Sequence, residues 1–177
     1  MKKMIETNRL IIRPFKIEDA YEAQKWFHDA DVMRWMPNGP DKTFAETKNR
    51  IQKYIDHYLK YGFGKFIIID KNSNYSIGDA GLMNLDGTKF IELGYRLKKE
   101  YWGLGIATEA ASSIIKHAFQ VDKLENIHAI VEPENIISIY IITTKLHFEY
   151  VKKDTFFGEI FNLYRLDNKN FMDMNQI

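Results

Sequence analysis

The chain has 177 residues, of which 45% are hydrophobic and 28% charged, a composition typical of one soluble globular domain spanning residues 1–177. Its 25 basic and 24 acidic residues give a net charge of +1, so bulk electrostatic binding of DNA or RNA is not expected. The sequence contains no cysteine, which excludes disulfides, thiolate nucleophiles and cysteine-based zinc sites.

The N-terminal segment carries two lysines but no long apolar run, and no window of about 18 apolar residues occurs in the chain. We therefore expect neither a signal peptide nor a membrane span, and we expect a cytoplasmic protein. The sequence shows no internal repeat and no linker-like stretch, which again favours one domain.

In the first half of the chain, apolar periodicity predicts one strand, two helices and three further strands. Pro14 suits the end of the first strand, because proline cannot donate to a sheet ladder. Gly78 and Gly81 indicate a bulge or a close approach of two backbones, and Asp86–Gly87–Thr88 indicates a hairpin turn. The predicted ranges are 9–15, 16–30, 43–60, 65–70, 75–85 and 89–98.

The second half predicts a helix, a strand, a second helix and two final strands that close the sheet. A run of antiparallel hairpins is thus followed by strand–helix–strand crossovers. This order predicts a mixed α/β sheet with helices on both faces. The predicted ranges are 107–120, 126–132, 133–148, 148–153 and 159–166.

The stretch GYRLKKEYWGLGIATEA, residues 94–110, runs from a predicted strand through Gly103 and Gly105 into a predicted helix. A dinucleotide fingerprint is disfavoured because Thr108 stands at its third glycine and the motif comes late in the chain. A P-loop lacks its Gly-Lys-Ser/Thr, and a plain structural turn stays open. We favour an anion site, since glycine backbones and a helix N-terminus present N–H groups suited to a pyrophosphate.

The segment ELGYRLKKEYWGLGIATEA resembles the acetyl-CoA signature of the GCN5-related N-acetyltransferases (GNAT). ETNRLIIRPFKIEDA, IHAIVEPENIISI and TKLHFEYV are similar to other parts of the branch that includes the ribosomal-protein alanine N-acetyltransferases. The resemblance covers nearly the whole chain. It implies the GNAT acyl-CoA N-acyltransferase fold, with six to seven strands, a splayed central pair and about four helices. It also implies acetyl-CoA as co-substrate and no metal.

The resemblance implies that the coenzyme contacts the backbone of the strand before the turn and the turn itself. Three departures from the family pattern stand out. Glu100 occupies a position where Gln or Arg is common, His147 replaces the glycine of Lys-Leu-Gly-Phe, and the segment from Asn135 to that element is one residue longer. The implied coenzyme residues are Leu97, Lys98, Trp102, Gly103, Leu104, Gly105, Ile106, Ala107, Thr108, Asn135 and Lys145.

Glu92 is the candidate base that removes the proton of the acceptor amine. It lies in the middle of an apolar strand, and period-two alternation puts it on the same face as Gly94 and Arg96. The alternative is a sheet-face charge paired with a neighbouring Arg or Lys. His128, on the next strand, is a candidate to share the role, although a lone strand histidine is more often a packed or surface residue.

For protonation of the leaving thiolate, the family often uses a tyrosine at the position of Thr143. Ser138 and Tyr140 are the candidates that replace it here. In the alternative, Asn135 caps a helix and Ser138 bonds backbone. Trp35 and Met36 match the acceptor pocket of family members, with plain core packing as the alternative.

These features predict an N-acetyltransferase that moves the acetyl group of acetyl-CoA directly to a primary amine. The N-terminal α-amine of a protein, such as a ribosomal protein, is one acceptor class. A small-molecule amine (a polyamine, an aminoglycoside or an amino acid) is the alternative acceptor class. A non-catalytic acyl-CoA-binding sensor is the alternative from another functional class. We expect no membrane partner and no direct nucleic-acid binding, and a homodimer through the final strands is compatible with the sequence.

Overall fold

The computed structural model describes residues 4–174 and contains one mixed sheet of eight strands in the order β1-β2-β3-β4-β5-β6-β8-β7. The strands are β1 Ile5–Glu6, β2 Leu10–Pro14, β3 Lys65–Asp70, β4 Ser76–Asn84, β5 Ile91–Leu97, β6 Asn126–Val131, β7 Glu149–Phe156 and β8 Glu159–Asp167. The α-helices are α1 Ala20–Phe27, α2 Phe44–Tyr61, α3 Ile106–Gln120, α4 Ile136–Tyr140 and α5 Asn168–Met174.

The predicted mixed α/β sheet is confirmed, with more elements than the six to seven strands and four helices expected. The two-residue β1 pairs antiparallel with β2 and is too short for a periodic signal. The last helix, α5, follows β8 directly. The final strands do extend the sheet, but β8 lies between β6 and β7. Among the described residues, no helix is long and apolar enough to span a membrane.

Helix α2 begins and ends where local chemistry dictates. The Thr43 side chain accepts a hydrogen bond from the Glu46 amide, and the Glu46 carboxylate accepts one from the Thr43 amide, which forms a capping box. Gly62, with φ of 77°, ends the helix in the left-handed conformation. The apolar stripe around Ile51 and Tyr54 packs on the sheet beside α1.

Glycines allow β3, β4 and β5 to approach closely, as the sequence predicts. A Cβ at Gly78 would collide with the backbone of Arg96 and Leu97 on β5. A Cβ at Gly81 would collide with the backbone of residues 64 and 65 at the start of β3. The β3–β4 register also shifts between Ile68 and Ile69, opposite the first residues of β4.

The sheet buries apolar side chains on both faces. Helix α3 covers one face, and α1 with α2 covers the other, where Trp26, Phe27 and Ile67 form the core. Strand β5 therefore sends Leu93, Tyr95 and Leu97 towards the α3 face. Its other residues, Glu92, Gly94 and Arg96, point to the face of α1 and α2, as alternation predicts.

The central strands β5 and β6 are parallel and share a single register pair, Glu92 with His128. Beyond Glu92, β5 continues to Leu97 paired with β4 alone. The splayed central pair is therefore present, and a gap opens between β5 and β6 on the carboxyl-terminal side of Glu92.

Helix α4 passes into a five-residue π-helical segment, Ile141–Lys145, closed by a 3.0 Å bond from the Leu146 amide to the Ile141 carbonyl. A π-helical turn holds one residue more than an α-helical turn, as expected for a segment one residue longer than the family pattern implies. His147 follows with φ of 60°. It thus keeps the left-handed backbone that a glycine adopts easily, at a cost of about 1 kcal/mol.

Candidate functional site

The glycine turn forms an exposed concave end to α3. Gly103 and Gly105 both have φ of 74°, and Gly105 is the N-cap residue of the helix. The first backbone N–H groups of α3, from Ile106 to Thr108, have no acceptor within the helix. No atom lies within 4 Å of the position that a Cβ on Gly103 would take, so this side of the turn is open. These residues fit an anion such as a pyrophosphate.

Arg9 fastens this turn to the start of the sheet. Its Nε donates to Glu109 Oε2 at 2.6 Å, and its guanidinium donates to the Leu104 carbonyl at 2.9 Å. Thr7 also donates to Glu109. The sequence analysis missed Arg9, because about 95 residues separate it from the turn and no local pattern indicates the contact.

The backbone at the end of β5 faces in two directions. The Lys98 amide donates to the Ile77 carbonyl at 2.8 Å, so this amide belongs to the β4 side. Because antiparallel strands alternate the direction of their hydrogen bonds, the Leu97 amide faces the gap towards β6. The Leu97 carbonyl accepts from the Trp102 indole at 2.8 Å, which fixes Trp102 over the strand–turn junction.

Glu92 lies at the closed end of the gap, where β5 and β6 are still paired, and is partly buried. Burial raises the pKa of its carboxyl group, while the positive charges of Lys65 and Arg96 lower it. Among the described residues, the carboxylate accepts no hydrogen bond that contributes to this pKa. Arg96 pairs with the fully buried Asp79 at 2.5 Å, and both Lys65 and Arg96 act on Glu92 through space, so the alternative of a charge balanced by a neighbouring Lys or Arg stays open.

His128 is paired with Glu92 across the two strands and is 5% exposed. Its ring stacks on Phe90 with centroids 4.2 Å apart, and its Nδ1 has no hydrogen-bond partner among the described residues. Burial lowers the pKa of the imidazole, which favours the neutral ring. The structure thus brings His128 close to Glu92 in register.

Ser138 of α4 is hydrogen-bonded to Tyr95 of β5. The Tyr95 hydroxyl and the Ser138 hydroxyl are 3.0 Å apart, and Asn135 Oδ1 accepts from the Ser138 amide at 3.2 Å. Burial raises the pKa of Tyr95 to about 12. Tyr140 is 53% exposed, and the Lys145 ammonium lies 5.5 Å from its ring centroid. Sequence reasoning missed Tyr95, which alternation gives as an ordinary α3-face residue.

The predicted acceptor residues lie in the loop between α1 and α2. Met36 packs on the α1–α2 core, and its sulfur accepts from the Arg96 guanidinium at 3.6 Å. Trp35 is partly exposed and lies 5.0 Å from the Arg34 guanidinium. Met36 therefore contacts Arg96, which lies on the same face of β5 as Glu92. Trp35 is the neighbour of Met36 in the chain.

A separate cavity of about 290 Å³ lies beside α1 and the 3₁₀ turn Lys99–Tyr101. Glu100 lines this cavity together with Lys98 and Lys99, and Lys99 forms ion pairs with Asp29 and Asp31. The cavity does not extend along the β5–β6 gap. Within residues 4–174, no three His, Asp or Glu side chains are grouped so that they could hold a metal ion.

A mixed sheet with one splayed central strand pair, followed by a glycine-rich helix N-terminus, is the arrangement expected of an acyl-CoA-dependent N-acyltransferase. The chain matches the family model for the acetyltransferase (GNAT) domain over residues 9–149. It therefore belongs to the GNAT family.

Similar proteins carry N-acetyltransferase names. The chain is 32% identical over 139 residues to the uncharacterized N-acetyltransferase p20 of Bacillus licheniformis, covering 78% of each chain. It is 27% identical over 134 residues to the spermidine N(1)-acetyltransferase of Escherichia coli K12, covering 73% of this chain and 68% of the relative. The ribosomal-protein-S5-alanine acetyltransferase of Vibrio fischeri shares the fold, with a TM-score of 0.78, 24% identity and coverage of 95% and 98%.

Proposed function

We propose that the protein transfers the acetyl group of acetyl-CoA directly to a primary amine, and that the acceptor is the N-terminal α-amine of a protein. The observation that carries acetyl transfer is the gap that opens between β5 and β6 after the single pair of Glu92 and His128. Strand β5 runs from Glu92, where this gap begins, towards the glycine turn that follows the strand. The α-amine acceptor rests on the sequence resemblance to the ribosomal-protein alanine N-acetyltransferase branch. The chain has no cysteine, which is consistent with direct transfer.

The backbone supplies the groups that bind and polarise the coenzyme. The N–H groups of Ile106, Ala107 and Thr108 bind the pyrophosphate at the start of α3. The Leu97 N–H faces the gap and donates to the pantetheine arm in this proposal. The five residues of extended strand from Glu92 to Leu97 span roughly 16 Å, so the charge that develops on the thioester oxygen is stabilised by a gap-facing amide closer to Glu92, that of Tyr95. One such donor typically contributes roughly 3 kcal/mol to the transition state.

Two side chains take part in proton transfer in this proposal, and a third positions one of them. Glu92 accepts the proton of the acceptor ammonium, directly or through a water. Ser138, hydrogen-bonded to Tyr95, supplies a proton to the leaving thiolate. Burial raises the pKa of Tyr95 to about 12, so its hydroxyl stays neutral at neutral pH and holds Ser138 by a hydrogen bond. The proton that Ser138 gives to the thiolate is replaced by the second proton of the attacking nitrogen, which that nitrogen loses as the tetrahedral intermediate collapses to the amide. The exposed position of Tyr140 makes it the weaker candidate for this step.

The test is steady-state thiol release from acetyl-CoA with a panel of N-terminal peptides and small amines. We expect release with at least one peptide bearing a free α-amine and none with its N-acetylated form. Mass spectrometry should then locate the acetyl group on the α-nitrogen. Binding of acetyl-CoA without release for any acceptor would favour the non-catalytic sensor.

A polyamine acceptor is the second candidate, and one observation favours it. Burial raises the pKa of Glu132, and the nearby charges of Glu159 and Glu134 raise it further. Such a group attracts polycations, and one relative is named a spermidine N(1)-acetyltransferase. Spermidine turnover that weakens in a Glu132→Gln variant would support this acceptor over a peptide.

Replacement of Gly105 by aspartate should weaken acetyl-CoA binding at least tenfold, which corresponds to about 1.4 kcal/mol. The new carboxylate would stand at the helix N-cap and compete with the pyrophosphate for the same N–H groups. Isothermal titration calorimetry of acetyl-CoA measures the effect.

Gly87→Asp is the matched control for this variant. Gly87 also has φ of 74° but lies in the β4–β5 hairpin, with no atom within 4 Å of its Cβ position, whereas Arg9 Nη2 lies 3.7 Å from that of Gly105. Both variants place an aspartate in a left-handed backbone, and only Gly105→Asp alters the turn before α3. Equal acetyl-CoA affinities in the wild type and in Gly105→Asp would show that the pyrophosphate does not bind at this turn.

A further inference from the structure

Lys65 is a buried lysine that the proposed reaction does not use. It is the first residue of β3 and is 6% exposed. Lysine is rarely buried this deeply without a partner, because desolvation of an ammonium is costly. In the part of the chain that the structure describes, no hydrogen bond to the Lys65 ammonium offsets this cost.

The sheet register carries the Lys65 side chain across two glycines. Lys65 is paired with Gly81 of β4, and Gly81 is paired with Gly94 of β5, so the three residues form one row on the same face. A Cβ on Gly94 would collide with the Lys65 ammonium. The ammonium therefore lies directly over Gly94, where only glycine leaves room for it.

Along this face of β5, Gly94 of the row lies between two charged residues. Glu92 precedes Gly94 by two residues and Arg96 follows it by two, so both point to the same face. Glu92 Oε1 lies 3.6 Å from the Gly94 Cβ position that the Lys65 ammonium also borders. Lys65 and Glu92 interact through space rather than through a direct hydrogen bond.

The other charges near Lys65 have partners of their own. Arg96 donates to Asp79 and to the Tyr54 hydroxyl of α2. His57 of α2 is held by the Phe63 carbonyl and the Asn84 amide. Burial lowers the pKa of its ring, and the charges of Lys60 and Lys65 lower it further.

His128 faces Glu92 from β6, and burial favours its neutral form. Of these described groups, Lys65 and Arg96 lower the pKa of Glu92, and Arg96 is already neutralised by Asp79.

We propose that Lys65 is a positioning residue that keeps Glu92 ionised, as the counter-charge held over Gly94 at the acceptor site. This inference rests on the proposed role of Glu92 as the base. Without Lys65, the partly buried carboxyl group would stay protonated to a higher pH and would be unable to accept the proton of the acceptor amine. Burial lowers the pKa of Lys65 itself to about 8, so its charge acts below that pH.

The experiment compares the pH dependence of kcat/KM in the wild type and in Lys65→Met, which keeps the length of the side chain and removes the charge. We expect the acidic limb to move up by about one pH unit in Lys65→Met. At a pH well below the pKa of Glu92 in both proteins, this shift lowers kcat/KM about tenfold, since one unit is tenfold in the ionised fraction. Above pH 8 the two profiles should converge, because the wild-type Lys65 then loses its charge.

A second variant keeps the test valid if Lys65→Met does not fold. Gly94→Ala retains the lysine but displaces its ammonium, and it should move the acidic limb in the same direction. Lys71→Met is the charge control, because Lys71 follows β3 at its far end and pairs with Glu6. A ¹³C NMR titration of the Glu92 carboxyl carbon, assigned with Glu92→Gln, should show the same shift without any turnover.

The outcomes separate this inference from the proposed function. An acidic limb that disappears in Glu92→Gln but stays at its wild-type pH in Lys65→Met overturns the role of Lys65 alone. A limb that persists unchanged in Glu92→Gln removes Glu92 as the base, and the role of Lys65 with it. A limb that moves equally in Lys65→Met and Lys71→Met also contradicts the proposal, since it would reflect total charge only.

Discussion

Asp79→Ala is expected to lower the free energy of unfolding by about 4 kcal/mol, because it leaves a buried guanidinium without its counter-ion. Asp79 is fully buried and accepts from Arg96 at 2.5 and 3.1 Å and from the Trp26 indole at 2.9 Å. Its removal would strand two buried donors at the centre of the α1–α2 face. Urea unfolding followed by circular dichroism gives the free energy.

Asp167→Ala is the matched control, since it breaks an aspartate–arginine pair at the surface. Asp167 and Arg165 are 38% and 46% exposed, and a surface pair of this kind contributes less than about 1 kcal/mol. The double variant Asp79→Leu/Arg96→Met should recover most of the loss, because no buried charge remains. A loss in Asp79→Ala as small as that in Asp167→Ala would show that Arg96 finds another partner or reaches water.

The local elements of this fold are predictable because their signals are local. The run KFIIID gives β3 with the bounds that the structure has. The capping box of Thr43 and Glu46 and the left-handed Gly62 similarly set both ends of α2. Alternation alone also puts Glu92, Gly94 and Arg96 on one face, which is the side of α1 and α2.

The parts that sequence reasoning missed depend on register and on distant contacts. Arg9 reaches Leu104, and Tyr95 reaches Ser138, over separations that no window of sequence reports. The placement of Lys65 over Gly94 follows from two successive strand pairings, β3 with β4 and β4 with β5. An alternating pattern gives each strand a buried face but does not say which residues of its neighbours share a row.

One departure from the family pattern could be detected in the sequence but not interpreted. The segment after Asn135 is one residue longer than expected, and the structure accommodates it in the π-helical turn Ile141–Lys145. This turn leaves Thr143 bonded to the Ile139 carbonyl. The proposed proton donor, Ser138, lies earlier in the helix, where its hydroxyl is hydrogen-bonded to that of Tyr95 of β5.

Glu92→Gln is expected to lower kcat/KM about a hundredfold at neutral pH and to remove the acidic limb of the pH profile. The amide has nearly the size of the carboxyl group but cannot accept a proton from the acceptor ammonium. In the wild type, activity should fall as pH falls through the pKa of Glu92, which burial raises above its usual value. Stopped assays of thiol release at a series of pH values measure both effects.

The direction of the stability change distinguishes this loss from misfolding. A carboxyl group whose pKa is raised in the folded state stabilises the fold while it is protonated, and this contribution is lost as pH rises through the folded pKa. At neutral pH the ionised Glu92 is therefore unfavourable for folding, and Gln at this position should leave the protein as stable as the wild type or more so. Thermal unfolding at pH 7 checks this sign.

Two further measurements complete the assignment of Glu92. Acetyl-CoA affinity should be unchanged in Glu92→Gln, because Glu92 points to the α1–α2 face and the glycine turn lies at the start of α3 on the other face. Glu149→Gln, an exposed substitution on the edge strand β7, should match the wild type throughout. A Glu92→Gln enzyme that keeps its turnover and its acidic limb would show that a different group, with His128 the nearest in register, accepts the proton.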